Sequence, residues 1–233
     1  IGGFPFVNIG SLVNRGWEIA MHGMPVKQPD LSWDIRVGAN TLHNEVTDMD
    51  TIAPFGTLNR VQPGMQLGSW WTRKIVSVDT VTGVVRVTES PTFAGNVLPT
   101  FEGNVSTNLT IKRNLRLYAL LDTKRGNRVR NFTDFFRETQ LVRSNARLDT
   151  LVLSKEERLR RYGNPNAGQP AFITDSTGTP MTVNDVQEEY IQDAGFVRLR
   201  EVSVSYTLPV RWARMLRAGS AAITVSGQNL ALW

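Results

Sequence analysis

The sequence predicts an all-β fold, an antiparallel transmembrane β-barrel segment of about six long strands with short periplasmic turns and long extracellular loops. Three observations predict it. Six segments alternate apolar and polar residues with a period of two, the mark of a strand with one apolar face. The links between them are short and long by turns, as in an outer-membrane barrel. No apolar run approaches the ~20 residues that a spanning helix needs.

The first strand sets Trp17, Ile19 and Met21 against Gly16, Glu18, Ala20 and His22. The second sets Leu31, Trp33, Ile35, Val37 and Ala39 against Ser32, Asp34, Arg36, Gly38 and Asn40. The third alternates Val105, Thr107, Leu109 and Ile111 with Ser106, Asn108 and Thr110. The fourth alternates Leu115, Leu117, Ala119 and Leu121 with Arg116, Tyr118, Leu120 and Asp122. The fifth carries Val202, Val204, Tyr206 and Leu208 against Glu201, Ser203, Ser205 and Thr207. The sixth carries Ala221, Ile223 and Val225 against Ala222, Thr224, Ser226 and Gln228.

Short links fall around Pro25, Pro29 and Asp30, at Lys112-Arg113-Asn114, and in a stretch opening at Pro209. Long segments, roughly residues 44–102 and 125–193, separate the strand pairs. Long loops are rare in compact domains and normal on the outer side of barrels. Within them, 74–78 and 84–87 read as a hairpin around Asp79-Thr80-Val81-Thr82-Gly83. Ser154 and Glu157 form a capping box, so 155–162 is expected to be a short helix that stops at Gly163. A second short helix is expected after Thr182, and 163–180 reads as irregular.

On the polar faces, Glu18, His22, Asp34, Arg36, Arg116, Asp122, Glu201 and Gln228 are expected to face a wet lumen while the opposite face meets lipid. Trp17, Trp33, Tyr118, Tyr206 and Trp212 lie in or near strand ends, where a barrel carries its aromatic girdles. A soluble, secreted β-sandwich acting as a glycan-binding module is the alternative. It would need compact loops and an apolar core closed between two sheets.

Composition narrows the chemistry. Hydrophobic residues make up 41% and charged residues 20%, compatible with a barrel whose two faces average out. With no cysteine there is no disulfide scaffold, thiol nucleophile or cysteine-built zinc site. The two histidines, His22 and His43, sit in no ligand-spaced cluster. No nucleophile elbow, Walker loop or dinucleotide glycine pattern occurs. Glu156-Glu157 and Glu188-Glu189 are helix neighbours that point apart, poor candidates for a catalytic pair. The expectation is therefore no enzyme, no metal and no cofactor. Three Asn-x-Ser/Thr patterns, at Asn104, Asn108 and Asn131, read as chance.

The net charge of +5 is uneven. Residues 112–161 hold 14 Lys/Arg against 6 Asp/Glu, a local excess of +8 that reads first as a solvated loop. Phe132, Phe135 and Phe136 interleave with these arginines, but no nucleic-acid motif accompanies them, so no nucleic-acid partner is expected.

Two stretches resemble a known family. Residues 193–209, DAGFVRLREVSVSYTLP, resemble the late-barrel signature of SusC/RagA proteins, whose next strand ends in a pattern matched here by Val225-Ser226-Gly227-Gln228-Asn229-Leu230. Residues 8–19, NIGSLVNRGWEI, resemble an earlier strand of that family, and Ser32-Trp33-Asp34 follows as in its next strand. The resemblance implies a TonB-dependent outer-membrane transporter importing a large nutrient such as an oligosaccharide or peptide. It implies as partners a SusD-like lipoprotein, the TonB complex and outer-membrane lipid. On this reading residues 1–233 are part of one 22-stranded barrel domain. Plug domain, signal peptide and closing strands would then lie outside the sequence. The start at Ile1 and the unfinished strand ending at Trp233 fit an interior piece.

Overall fold

A computed structural model describes residues 10–78, 85–136, 173–181 and 185–233. In order come β1 (Ser11–Arg15), β2 (Glu18–Gln28), β3 (Leu31–Thr41) and β4 (His43–Asp48). Short strands follow: β5 (Asn59–Arg60), β6 (Ser69–Thr72), β7 (Ile75–Val78), β8 (Val85–Val87) and β9 (Thr92–Gly95). Then come β10 (Phe101–Ile111), β11 (Leu115–Arg125), β12 (Arg128–Arg130) and a helix, Phe132–Phe136. After β13 (Ile173–Asp175), β14 (Pro180–Met181), a 3-10 turn at Glu188–Tyr190 and β15 (Ile191–Asp193), the chain forms β16 (Phe196–Thr207). A helix, Val210–Met215, and β17 (Ala222–Leu232) complete it.

The chain divides into two compact units. One, the wall, comprises residues 14–43, 99–126 and 194–233. It is a six-stranded antiparallel sheet in the order β17-β16-β11-β10-β3-β2, so every strand pairs with its neighbour in the up-and-down path. Five of these strands have 11 residues and β16 has 12, just above the ~9–11 that a tilted transmembrane strand uses. The six expected strands correspond to these six. All three short links lie at one end of the sheet; the long segments leave and re-enter at the other.

Two boundaries differ from the sequence reading, both because of bulges. Pro25 does not turn the chain. β2 continues to Gln28, and its register with β3 shifts between Gly23 and Val26. Proline lacks the N–H that a regular ladder would use, and a bulge tolerates that loss. β16 starts at Phe196, earlier than its alternation suggests, because Arg200 is an extra residue between Leu199 and Glu201 in the pairing with β11. Val197 and Leu199 are odd-numbered, Val202 and Val204 even-numbered, yet one bulge keeps all four on one face. The link opening at Pro209 is not a bare turn: it holds the helix Val210–Met215.

The second unit comprises residues 1–13, 44–98 and 127–193. It supplies the two long connections, and it is far from structureless. Val85, Val87, Phe135, Ile173, Val186 and Tyr190 form its core, with Ile75 and Met181 against it. Phe135 meets Tyr190 edge to face at 5.3 Å between ring centroids. Asn131 caps the helix Phe132–Phe136. Its Oδ1 accepts from the Asp134 backbone N–H at 3.1 Å, and its Nδ2 donates to Asp134 Oδ2 at 2.7 Å. β7 and β8 are the expected hairpin arms, paired antiparallel, while the turn at 79–84 lies outside the described residues. β13 joins β8 in parallel, so 163–180 is not irregular throughout. The strand forms because Ile173 has the β8 edge and the core to pack against. The helix expected over 155–162 lies outside the described residues. After Thr182, residues 182–184 also lie outside them; among the described residues that follow, Asp185 is in 3-10 conformation and a 3-10 turn comes at Glu188–Tyr190.

Candidate functional site

The pairing register sorts the wall into two faces. Residues paired across adjacent antiparallel strands share a face, so each match carries the assignment to the next strand. Val37 pairs with Val105, Val105 with Leu121, and Leu121 with Leu199. Two steps along, Trp33, Leu109, Leu117, Val204 and Val225 form a second row. The other face carries rows such as Asp34, Asn108, Tyr118 and Ser203. Glu18 stands opposite Asn40 and His22 opposite Arg36. Arg116 lies opposite Ser205, Asp122 opposite Arg198, and Glu201 opposite Gln228. All eight candidate polar residues therefore fall on one face.

They do not converge on one point. His22 Nε2 contacts Asp34 Oδ2, and Arg36 Nε lies 3.4 Å from Asp34 Oδ1. Two strands away, Arg198 grips Asp122 through Nε to Oδ1 at 3.0 Å and Nη2 to Oδ2 at 2.6 Å. This two-pronged geometry is what a planar guanidinium offers a carboxylate. Arg200 Nη1 adds a longer contact to Asp122 Oδ2 at 3.8 Å. Lys124 Nζ pairs with Glu102 Oε1 at 2.6 Å. A hollow of about 810 Å³ is lined by Glu18, His22, Arg36, Asp122, Lys124 and Arg200 among others. Of the eight candidates it gathers these first four; Asp34 contacts His22 and Arg36 at its rim, while Arg116, Glu201 and Gln228 stand apart.

Sequence reasoning missed Arg198, Arg200, Glu102 and Lys124. Glu102 and Lys124 simply extend the alternation of the third and fourth strands by a few residues. Arg198 and Arg200 were hidden by the bulge at Arg200, which interrupts the alternation of the fifth strand. Among the described residues no group of three His, Cys, Asp or Glu side chains could hold a metal ion.

The apolar face is uncovered. No residue of the six long strands is buried. Ile223 and Val225 are 58% and 70% exposed. A soluble sheet buries such a face against a second layer, as the sandwich alternative requires. Here aromatic side chains flank the face at both ends. Trp17, which hydrogen-bonds Thr41 through both backbone groups, Phe101 and Trp233 stand at the loop end. Trp33 and Tyr206 stand near the turn end, with Trp212 in the adjoining helix. Tyr118 does not belong to these bands: it pairs with Asn108 and Ser203 on the polar face. Phe101 and Ile111 mark the ends of one strand. Ten rises of ~3.4 Å tilted by ~40° give a band ~26 Å tall, close to the ~25 Å of an outer-membrane barrel.

No protein-family model matches the chain. TonB-dependent receptor P26 of Formosa agariphila is 24% identical over 267 residues, which cover 97% of this chain and 25% of the receptor. The RagAB peptide importer in its closed-closed state superposes with a TM-score of 0.71 at 17% identity, over 97% of this chain and 26% of that one. The chain shares its fold with a segment of that importer. The open-open RagAB structure gives a TM-score of 0.69 at 16% identity, over 96% of this chain and 25% of that one. The chain thus spans about a quarter of the length of the relatives it matches. The SusC/RagA-like signature has a physical basis here. Asn229 sits at φ +52° beside the β16–β17 register shift, and asparagine tolerates that left-handed conformation better than most residues.

Proposed function

We propose that this segment is part of the wall of a TonB-dependent transporter that carries a large nutrient, an oligosaccharide or a peptide, across the outer membrane. The carrying observation is the division of one sheet into an unburied apolar face edged by aromatics and an ion-paired polar face. The apolar face meets lipid. The polar face lines the lumen, where Glu18, His22, Asp34, Arg36, Arg116, Asp122, Glu201 and Gln228 hydrate the pathway and meet the plug. These side chains act by charge and hydration and make or break no covalent bond. Residues 1–233 form part of a single barrel domain on this reading. The two long connections face outward, toward substrate and a SusD-like lipoprotein. Coupling to the TonB complex belongs to other parts of the protein.

Proteolysis of intact cells of the source bacterium tests this. Cuts within 44–98 and 127–193, with the links at 29–30, 112–114 and 208–221 spared, are expected. Recovery of the protein in a soluble fraction, with no peptide released from intact cells, would overturn it in favour of the soluble module.

A further inference from the structure

The turn end of the wall carries a feature that a transport pathway does not require. Where a barrel needs only a short turn, β16 and β17 are joined by residues 208–221, which include the helix Val210–Met215. This link has three arginines, Arg211, Arg214 and Arg217, and no acidic residue. Ala213 is fully buried and seats the helix. Trp212, Met215 and Leu216 project outward instead; Met215 is 82% exposed. At ~100° per residue Trp212 and Met215 lie about 60° apart on the helix, Leu216 follows at its C-cap, and Arg214 falls on the other side. Arg211 flanks the apolar side, its guanidinium 5.9 Å from the Trp212 ring centroid.

The neighbouring turns share the charge. Lys112 and Arg113 form the β10–β11 turn, and Arg113 Nε donates to the Pro29 carbonyl of the β2–β3 turn at 3.1 Å. Asp30 is the single acid across the three links. Lys112 and Arg113 hold φ values of +48° and +63°. Arg217 holds +54° and ends its helix with a Schellman pair: Ala218 N–H to the Ala213 carbonyl at 3.0 Å, and Arg217 N–H to the Arg214 carbonyl at 2.9 Å. Glycine or asparagine is the less strained occupant of such positions. Long cations stand there instead, at three sites on the same end of the sheet.

We infer that the Val210–Met215 helix and the adjoining basic turns form an interfacial anchor on the phospholipid headgroups of the leaflet at the turn end. This rests on the membrane reading above. Trp212, Met215 and Leu216 continue the apolar surface of Tyr206 and Ile223 into the headgroup–acyl boundary. The arginines reach the phosphates of anionic lipids. Each cation held near an anionic surface gives roughly a fivefold preference for it.

The test uses the full-length protein in nanodiscs of phosphatidylethanolamine and phosphatidylglycerol. An environment-sensitive dye is placed at Met215→Cys and, separately, at Val225→Cys; the segment has no native cysteine to compete. Both dyes are expected to be quenched by nitroxide lipids and shielded from aqueous iodide. The triple variant Arg211→Gln, Arg214→Gln, Arg217→Gln is expected to lose at least roughly fivefold of the protein's preference for phosphatidylglycerol. Lipid quenching at Val225 with iodide quenching at Met215 would overturn the anchor and leave the barrel intact. Iodide quenching at both would overturn the anchor and the membrane reading together. An unchanged lipid preference in the triple variant would overturn the phosphate contact.

Discussion

Trp33 on β3 donates its indole N–H to the hydroxyl oxygen of Thr107 on β10 at 2.7 Å, and both residues stand on the apolar face. In hydrocarbon there is no water to replace a missing partner, so a polar group on this face must find one within the protein. Thr107→Val keeps the shape and removes the acceptor. It is expected to cost about 1 kcal/mol, read as a shift in urea unfolding of the full-length protein in vesicles. Unchanged unfolding together with unchanged Trp33 environment would show that water reaches the indole and that this face is wet.

Adjacent residues near the middle of β10 test the two faces directly. Val105 pairs with Val37 and Leu121 on the apolar face, Ser106 with Arg36 and Leu120 on the polar one. Val105→Arg is expected to destabilise the protein in lipid by ~2–4 kcal/mol. Ser106→Arg is expected to change it by no more than about 0.5 kcal/mol. The opposite ranking would mean that the lumen and lipid faces have been exchanged.

The loop unit has its own core, so it should loosen without the wall. Phe135, 7% exposed, packs on Tyr190 and among Val85, Val87 and Ile173. Phe135→Ala is expected to cost about 3–5 kcal/mol there. Hydrogen exchange should speed up in β8, β13 and the Glu188–Tyr190 turn while β10 and β11 keep their protection. Equal loss of protection in the wall strands would show the two units to be one cooperative body.

Asp175 gives the β13–β14 turn an acid-sensitive latch. The hydroxyl of Thr177 donates to its Oδ1 at 2.6 Å, and the backbone N–H groups of Thr177 and Thr179 donate at 2.9 Å each. The Thr177 hydroxyl first, then those backbone donors, hold its carboxyl below the usual value of 3.8, against the opposing effect of burial. A depressed folded-state pKa means the stabilisation is complete above the ordinary carboxylate value. It is lost as pH falls below that value through the folded one. Amide exchange of residues 175–179, corrected for its intrinsic pH dependence, is therefore expected to show full protection at neutral pH that fails only in strong acid. Asp175→Ala should remove the protection at every pH; a pH-independent profile in the unaltered protein would refute the latch.

Much of the wall was legible in the sequence. Alternation is local: whether Leu117 and Ala119 share a face depends only on the residues between them. The six strands, their two faces and the short-long rhythm of the links could thus be read one segment at a time. The stretch around Asn229 was legible through its resemblance to a family, as local sequence where the backbone takes φ +52°. The charge partners were less so. Asp122 was recognised as a polar-face residue, but nothing near it in sequence indicates Arg198, which is 76 positions away.

What the sequence by itself determined is the period, face and number of the long strands, because those properties need no knowledge of any partner. What only the tertiary structure decided is register. It let a bulge at Arg200 return Val197 and Leu199 to the face of Val202, let Pro25 remain inside β2, and joined Val85, Phe135 and Ile173 in one core. It also set Trp33 beside Thr107. Each of these depends on which residue of a distant strand lies opposite, and a shift of one position would turn every side chain to the other face.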